Sequence, residues 1–298
     1  MTHGFGLSEI ASSFLTSAGT SGKYAARNVG MCDGLMGDDR IHVMVDAGNK
    51  RSLILDGPET NGFVQSEVRC MGQAPRSGTR GSCDDPALQA AWKCHPDVDN
   101  VLNGDAFPYV AAVLKQISAR CSLQPLKVLM LGLGGGTMQS YMAAACPKSS
   151  VLTVEASPAV LAAAKRFFGF NGSTRVQDAH QALHELRSAS SGAQQFDAIV
   201  VDITDTVLDK EDVENLHALL KDGGVVFHNH TNWQKMTQQL DTFQKIFPDA
   251  QQQQFFSGGN VLMSYFKNAP KPSPAKGRLA LQSFLATEKD GNPEWRLA

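Results

Sequence analysis

The sequence predicts an α/β protein built around a mostly parallel sheet, and three observations lead to this prediction. Short apolar runs alternate with helical stretches between about residues 126 and 267. Residues 254–266 have the pattern of an antiparallel strand pair around a Ser-Gly-Gly turn. Hydrophobic residues make up 42% and charged residues 19% of the 298 residues, an ordinary globular balance. Strands that alternate with helices indicate a parallel sheet covered on both faces, here with an antiparallel C-terminal edge.

The bulk composition excludes several classes of protein. The formal net charge is −2, so no basic field indicates a nucleic-acid partner. No apolar run approaches the roughly 20 residues that span a bilayer, and the start lacks the pattern of a secretory signal. We therefore expect a cytoplasmic protein with neither a nucleic-acid nor a membrane partner.

The six cysteines are scattered, with no CxxC pair and no cluster with histidine: Cys32, Cys70, Cys83, Cys94, Cys121 and Cys146. This spacing gives little support to a structural zinc site, and we expect no metal. In a cytosolic protein the expected state of these side chains is the reduced thiol.

The N-terminal third is predicted to hold a small β-rich domain. Residues 1–40 are rich in Gly, Ser and Ala and are interpreted as an irregular segment. The apolar runs Ile41–Val45 and Ser52–Leu55 flank an Asp-Ala-Gly-Asn turn, which favours a β-hairpin. We assign residues 41–104 to this domain and expect residues 72–85, rich in Gly, Ser and Arg, to form an exposed loop.

A second domain is predicted over residues 105–268, followed by a proline-rich tail at residues 269–298. Its apolar runs predict strands at Val128–Leu131, Val151–Val154, Asp197–Val201 and Gly224–His228. The intervening patterns predict helices at Asp105–Arg120, Met138–Ala145, Pro158–Phe168, Ala179–Arg187, Val213–Leu220 and Trp233–Ile246.

A glycine-rich loop carries the strongest functional signal. The segment LKVLMLGLGGGT runs from a strand through Gly132, Gly134 and Gly136 into a helix. Glycines permit a sharp turn and a close approach of a ligand to the backbone, and the helix N-terminus offers free N–H groups. Glu155 ends the next strand, about 20 residues later, where a carboxylate can bind ribose hydroxyls. The pattern favours a Rossmann-like nucleotide site over a simple strand-to-helix turn.

Further polar residues follow the later strands. Asp178, with Ala179 next to it, is placed either to accept a hydrogen bond from an adenine amine or to cap the following helix, and the two roles are compatible. Asp202 ends a buried strand and Asp205 follows it, at the edge where open α/β sheets bind ligands. We interpret this pair as catalytic or substrate-binding residues, able to position an amine or take its proton.

His228 and His230 lie at the end of another strand, near the same edge. They could serve as a general base or a substrate contact, but a pair of loop histidines without such a role is the favoured interpretation.

These residues resemble the spermidine synthase-like branch of the class I S-adenosylmethionine-dependent transferases. The similarity covers about residues 41–266. It is carried by LMLGLGGGT, VEASPAVLAAAKRFFG, the QDA of residues 177–179, FDAIVVDITD, LKDGGVVFHN and SGGNVLMSYFKN. The resemblance implies a class I methyltransferase fold behind a small N-terminal β-domain. It also implies S-adenosylmethionine, or its decarboxylated form, as cofactor.

The resemblance also implies roles for individual residues. The three loop glycines would bind the methionine end of the cofactor, Glu155 its ribose, and Asp178 with Ala179 its adenine. Asp202 and Asp205 match the acids that serve the attacking amine in polyamine-making members. Gln65 and Tyr109 are the candidate substrate contacts, and the family commonly forms homodimers.

One departure concerns Gly135, which stands where true aminopropyltransferases carry an acid for the cofactor's free amine. Methyl transfer to a small-molecule acceptor, such as an amine, is therefore favoured. A divergent polyamine synthase, a catalytically silent binding protein and, more remotely, a nicotinamide dehydrogenase remain alternatives.

Overall fold

A computed structural model describes most of the chain as two β-sheets with associated helices. It describes residues 28–36, 39–56, 64–76, 78–103, 107–189, 196–203, 206–231, 233–248, 253–257 and 260–268. The proline-rich tail at 269–298 lies outside these ranges, as does Asp205.

The N-terminal sheet has five strands in the order β4-β3-β2-β1-β5. The strands are β1 Asn28–Met36, β2 Asp39–Asp46, β3 Lys50–Asp56, β4 Val64–Arg69 and β5 Thr79–Ser82. The predicted hairpin is confirmed as β2 and β3, with Asn49 in the left-handed conformation at φ 59°. A short helix, α1 Pro86–Ala91, and a 3-10 turn, Val98–Asn103, complete this part.

Two predictions for this region are wrong. Residues 28–36 lie in the segment interpreted as irregular, yet they form β1, which pairs antiparallel with β2. Residues 79–82 lie in the predicted loop, yet they form β5, which pairs parallel with β1. Both strands are rich in Gly and Ser or interrupted by charge, so their own sequences give little strand signal, and the pairing between them stabilises them.

The C-terminal sheet has seven strands in the order β11-β12-β10-β9-β6-β7-β8. The strands are β6 Lys127–Leu131, β7 Ser150–Glu155, β8 Thr174–Val176, β9 Phe196–Val201, β10 Leu220–His230, β11 Gln253–Ser257 and β12 Asn260–Phe266. Strands β6 to β10 are mutually parallel, while β12 is antiparallel to β10 and β11 is antiparallel to β12. The predicted parallel sheet with an antiparallel C-terminal edge is confirmed.

In the described part of the chain, six helices accompany this sheet: α2 Pro108–Cys121, α3 Thr137–Ala145, α4 Pro158–Phe167, α5 Ala179–Ala189, α6 Lys210–Leu219 and α7 Trp233–Ile246. Buried residues of α2 and α3 form a core on one face of the sheet. Residues of α5, α6 and α7 form a core on the other face. The Rossmann-like fold predicted from the alternation of elements is therefore confirmed, with two apolar layers that hold the strand ends in place.

Contacts of side chains with the backbone connect the two sheets. Arg51 of β3 is 1% exposed and donates to the carbonyl oxygens of Trp92 and, at 2.7 Å, of Phe167 at the end of α4. Burial lowers the pKa of Arg51 to about 10, which leaves the side chain charged at neutral pH. Thr137 Oγ1, at the start of α3, donates to the carbonyl oxygen of Glu67 in β4 at 3.0 Å. The small sheet is thus bonded to the helices that flank the glycine loop.

All six cysteines are paired as disulfides, so the prediction of reduced thiols is wrong. The pairs are Cys32–Cys83, Cys70–Cys94 and Cys121–Cys146. The partners are 51, 24 and 25 residues apart, and the fold brings their Cα atoms within 5.0, 5.3 and 5.8 Å. Disulfides persist in oxidising environments, so these pairs weigh against the expected cytoplasmic location. Within the described parts of the chain, no helix is long and apolar enough to cross a membrane.

We predict that replacing Cys32 and Cys83 together by serine lowers the free energy of unfolding by about 4 kcal/mol, because the bond closes a long loop in the unfolded chain. Denaturant titration in non-reducing buffer measures the loss. As a control for the presence of the disulfide, the wild-type protein is denatured without reduction, treated with iodoacetamide and analysed by mass spectrometry. Uptake of the reagent at these cysteines, or an unchanged unfolding midpoint in the variant, contradicts the prediction.

Candidate active site

The glycine loop between β6 and α3 turns through three residues with positive φ. The angles are 101° at Gly132, 53° at Gly134 and 75° at Gly136, a region that side chains with Cβ rarely adopt. A Cβ at Gly132 would lie 2.1 Å from the carbonyl oxygen of Asp202, and one at Gly136 would lie 2.9 Å from the Phe170 ring. The loop therefore requires glycine at 132 and 136 for both backbone angle and space.

Glu155 fixes the loop to the end of the next strand. Its Oε2 accepts a hydrogen bond from Leu133 N at 2.9 Å, and its Oε1 accepts one from Ser157 N at 2.8 Å. These two contacts hold the carboxylate in a fixed orientation beside the loop. The sequence predicted the position of this acid and did not predict its contact with the loop.

Asp178 caps helix α5. Its Oδ1 accepts from His180 N at 2.9 Å and from Gln181 N at 3.2 Å, which is the capping role that the sequence left open. The side chain is exposed, and among the described residues none donates to Oδ2. Ala179, beside it, is 7% exposed. The capping role is confirmed, and contact with adenine stays a prediction.

Asp202 is the centre of a three-residue hydrogen-bond network at the carboxyl edge of the sheet. Tyr109 Oη, at the start of α2, donates to its Oδ2 at 3.0 Å and approaches Oδ1 at 3.3 Å. Asn229 Nδ2, near the end of β10, donates to Oδ1 at 2.8 Å. Asp202 is recessed at this edge and still partly accessible, whereas Tyr109 and Asn229 are buried.

Electrostatics keep the donor and acceptor roles in this network distinct. Burial raises the pKa of Asp202 above its ordinary value, while the hydrogen bonds from Asn229 and Tyr109 lower it. Burial, together with the nearby charge of Asp202, raises the pKa of Tyr109 well above its ordinary value. Tyr109 therefore remains a protonated donor. Sequence analysis assigned Tyr109 and Asp202 to the site but missed Asn229. The signal that could have identified Asn229 is its position near the end of a strand that neighbours the strand before Asp202.

The two remaining substrate candidates are less closely defined. Gln65 lies in β4, half-buried, next to Ser66, and Ser66 Oγ would lie 3.1 Å from a Cβ at Gly134. Strand β4 therefore borders the glycine loop, and the role of Gln65 stays a prediction. The structure does not describe Asp205.

Gly135 has an ordinary backbone angle, but its surroundings leave little room for a side chain. A Cβ there would lie 2.8 Å from Phe168 Cδ1 and 3.1 Å from Ser66 Oγ. Phe168 follows α4 and is fully buried, so its ring cannot swing into solvent. The position that carries an acid in true aminopropyltransferases is therefore closed by an aromatic ring in this chain.

His228 and His230 lie within β10, so their interpretation as loop residues is wrong. Both are buried, and their ring centroids are 3.7 Å apart on the face that packs against Phe243 of α7. Burial lowers the pKa of His230 to about 4 and, with His230 beside it, lowers that of His228 well below its ordinary value. Both side chains are therefore neutral at neutral pH. Among the described residues, no cluster of three or more His, Cys, Asp or Glu is arranged to hold a metal ion.

We predict that Gly132→Ala abolishes measurable affinity for S-adenosylmethionine, because the new Cβ displaces the Asp202 backbone and the whole loop. Gly223→Ala is the matched control, since Gly223 has a φ of 74° and nothing within 4 Å of the added carbon. It carries the left-handed strain alone, about 1 kcal/mol. Calorimetry on both folded variants measures their affinities for S-adenosylmethionine. Equal affinities would contradict the assignment of the glycine loop to the cofactor site.

We also predict that the buried histidines make the protein less stable as the pH falls from 6.5 toward 4. Between pH 6.5 and 4 the histidine is protonated in the unfolded chain but neutral in the folded protein. The contribution of His230 to the free energy of unfolding is therefore complete above pH 6.5, and it declines by about 3 kcal/mol as the pH falls toward 4. Unfolding free energies measured against pH should show a smaller decline in His230→Phe. The exposed His95, changed to Gln, is the control. Equal slopes in the wild type and His230→Phe would refute the prediction.

Comparison with known proteins agrees with this geometry. A family model described as "Methyltransferase domain" matches residues 128–224, which include the glycine loop, Glu155 and Asp202. Polyamine aminopropyltransferase of Vibrio vulnificus (strain CMCP6) is 28% identical over 224 residues, covering 70% of this chain and 69% of that protein.

Solved structures share the fold. Spermidine synthase from Thermotoga maritima superimposes with a TM-score of 0.51 at 15% identity, covering 91% of this chain and 80% of that one. Human methyltransferase-like protein 13, in complex with SAH, gives 0.50 at 20% identity, covering 63% and 92%. The chain therefore has the class I S-adenosylmethionine-dependent transferase fold and is similar to spermidine synthases and methyltransferases, and these similarities support a cofactor of the S-adenosylmethionine type.

Proposed function

We propose that this enzyme transfers a methyl group from S-adenosylmethionine to a small-molecule acceptor, with an amine of the acceptor facing Asp202. The observation that carries the choice of methyl transfer is the closed space at Gly135. No acid is present there for the free amine of a decarboxylated cofactor, and Phe168 and Ser66 occupy the space that such an acid would need.

The residues at the sheet edge fit the intact cofactor. The loop from Gly132 to Gly136 would hold the methionine end of the cofactor, and Glu155, oriented by Leu133 N and Ser157 N, would bind the ribose hydroxyls. Asp178, through the Oδ2 atom that does not cap the helix, and the buried Ala179 would contact the adenine. Bound S-adenosylmethionine supplies a methyl group activated by a positively charged sulfur.

Asp202 would act on the acceptor. Its two carboxylate oxygens accept from Tyr109 and Asn229, and the remaining lone pairs can accept an N–H of the acceptor amine. A recessed carboxylate with a raised pKa is also suited to take a proton from that amine. We assign Asp205 a supporting role in binding the acceptor, and we assign Gln65, in the strand beside the loop, to its outer part.

Aminopropyl transfer is the second candidate. It is favoured by the 28% identity to an aminopropyltransferase and by the tyrosine–aspartate pair, which suits an amine acceptor for either reaction. The nature of the group transferred is therefore decided at the methionine end of the cofactor, beside Gly135.

We predict that the protein binds intact S-adenosylmethionine at least about tenfold more tightly than the decarboxylated form, a difference of about 1.4 kcal/mol. Calorimetry with the two compounds measures it. Tighter binding of the decarboxylated form, with conversion of putrescine to spermidine, would replace methyl transfer by aminopropyl transfer.

The converse experiment introduces an acid at position 135, and the structure shows which second substitution it needs. Gly135→Asp alone should destabilise the protein, because its Cβ collides with Phe168. Gly135→Asp combined with Phe168→Leu makes room for the carboxylate, and Phe168→Leu alone is the control. The double variant should lose much of the preference for the intact cofactor relative to that control.

We further predict that Asp202→Asn keeps cofactor affinity within about twofold and lowers turnover by at least about a hundredfold. The amide keeps the shape of the carboxylate but cannot accept from both neighbours or take a proton from the acceptor. Cofactor calorimetry and methyl transfer to a panel of small amines, both with wild type alongside, provide the measurement. Full turnover in the variant would make Asp202 a structural residue.

A further inference from the structure

Three consecutive residues at the end of β10 each have a buried polar atom that finds no hydrogen-bond partner among the residues that the structure describes. The atoms are His228 Nδ1, Asn229 Oδ1 and His230 Nε2. Each such atom costs stability, because the hydrogen bond it made to water in the unfolded chain is not replaced. Unsatisfied groups of this kind are rare in native proteins and call for an explanation, especially at the edge of the sheet that binds ligands.

Asn229 differs from its two neighbours in what its side chain contacts. Successive residues of a strand point to opposite faces, and His228 contacts Phe243 on the side of α7. Asn229 points to the other face, where its Nδ2 donates to Asp202 Oδ1 at 2.8 Å. An ionised carboxylate can only accept, so the amide nitrogen must face it, and the amide oxygen is then directed away from it.

The amide is therefore stabilised at its nitrogen by Asp202 and left unsatisfied at its oxygen. A leucine of similar size would fill this buried position without a polar atom, so packing alone does not explain an asparagine here. The hydrogen bond to Asp202 explains why an asparagine occupies this position. Tyr109 holds the same carboxylate from α2, and the two donors approach it from different elements, which fixes the plane of the carboxylate.

We propose that Asn229 is a positioning residue, which holds Asp202 ionised and in the orientation that meets the acceptor. The inference rests on the proposed function, in which Asp202 faces the acceptor amine. Among the described residues, Tyr109 is the titratable group that couples to Asp202, and His228 and His230 occupy the opposite face of β10.

The proposal is tested by titrating Asp202 in the full-length protein, by carbon-13 NMR with label at aspartate Cγ and with the signal assigned by Asp202→Asn. Asn229→Leu and the isosteric Asn229→Asp both remove the donor. The titration midpoint of Asp202 should rise by about one pH unit in Asn229→Leu. It should rise at least as far in Asn229→Asp, where a second carboxyl group adjoins it. His228→Leu is the matched control, because it removes an unsatisfied polar atom from the same strand without touching Asp202, and it should leave the midpoint unchanged.

Two results would overturn the proposal: an unchanged midpoint in both Asn229 variants, or an equal shift in His228→Leu, which would assign the effect to packing of the strand. Calorimetry with S-adenosylmethionine separates this test from that of the proposed function. Asn229→Leu should bind the cofactor as wild type does. If wild type fails to bind it while the Asp202 midpoint still shifts, the proposed function fails and the Asn229–Asp202 contact is supported.

Discussion

The close approach between Gly132 and the backbone of Asp202 is the constraint on which the site depends. Strands β6 and β9 are parallel neighbours, and Asp202 N donates to the carbonyl oxygen of Leu131 at 2.8 Å. Gly132, the residue after β6, then turns so tightly that a Cβ would lie 2.1 Å from the Asp202 carbonyl oxygen. One backbone contact thus sets both the loop proposed to bind the cofactor and the acid proposed to meet the acceptor.

The small N-terminal sheet completes this arrangement from the other side. Ser66 lies against Gly134 and Gly135, while the carbonyl oxygen of Glu67 accepts from Thr137 at the start of α3. Arg51 bonds the same sheet to the end of α4 through two carbonyl oxygens. Disulfides within this part and between α2 and α3 reduce its freedom further. The loop is therefore confined between two layers, so the N-terminal sheet is part of the site's framework.

Sequence periodicity was sufficient to predict the Rossmann-like domain because its strands and helices are defined by local apolar patterns. The glycine loop and the acids at the strand ends followed for the same reason, since parallel strands end at one edge. Strands β1 and β5 were not predicted, because their pairing joins segments about 50 residues apart and neither segment has a strong alternation of apolar and polar residues. The disulfides were missed for a related reason, since scattered cysteines show no spacing signal until the fold brings them together. Asn229 was missed because its contact depends on the register between β9 and β10.

The charges around Asp202 bear on the cationic ligands proposed for this edge of the sheet. Among the described residues its hydrogen-bond donors, Tyr109 and Asn229, are both neutral, and His228 and His230 are kept neutral by burial. A recessed carboxylate without a positive partner is unfavourable, and attraction to a cation relieves that cost. The sulfonium of the cofactor and the ammonium of an amine acceptor both carry such a charge. An acceptor without a positive charge would leave the sulfonium as the sole counter-ion, so the electrostatics support the proposed amine acceptor over an alcohol of the same shape.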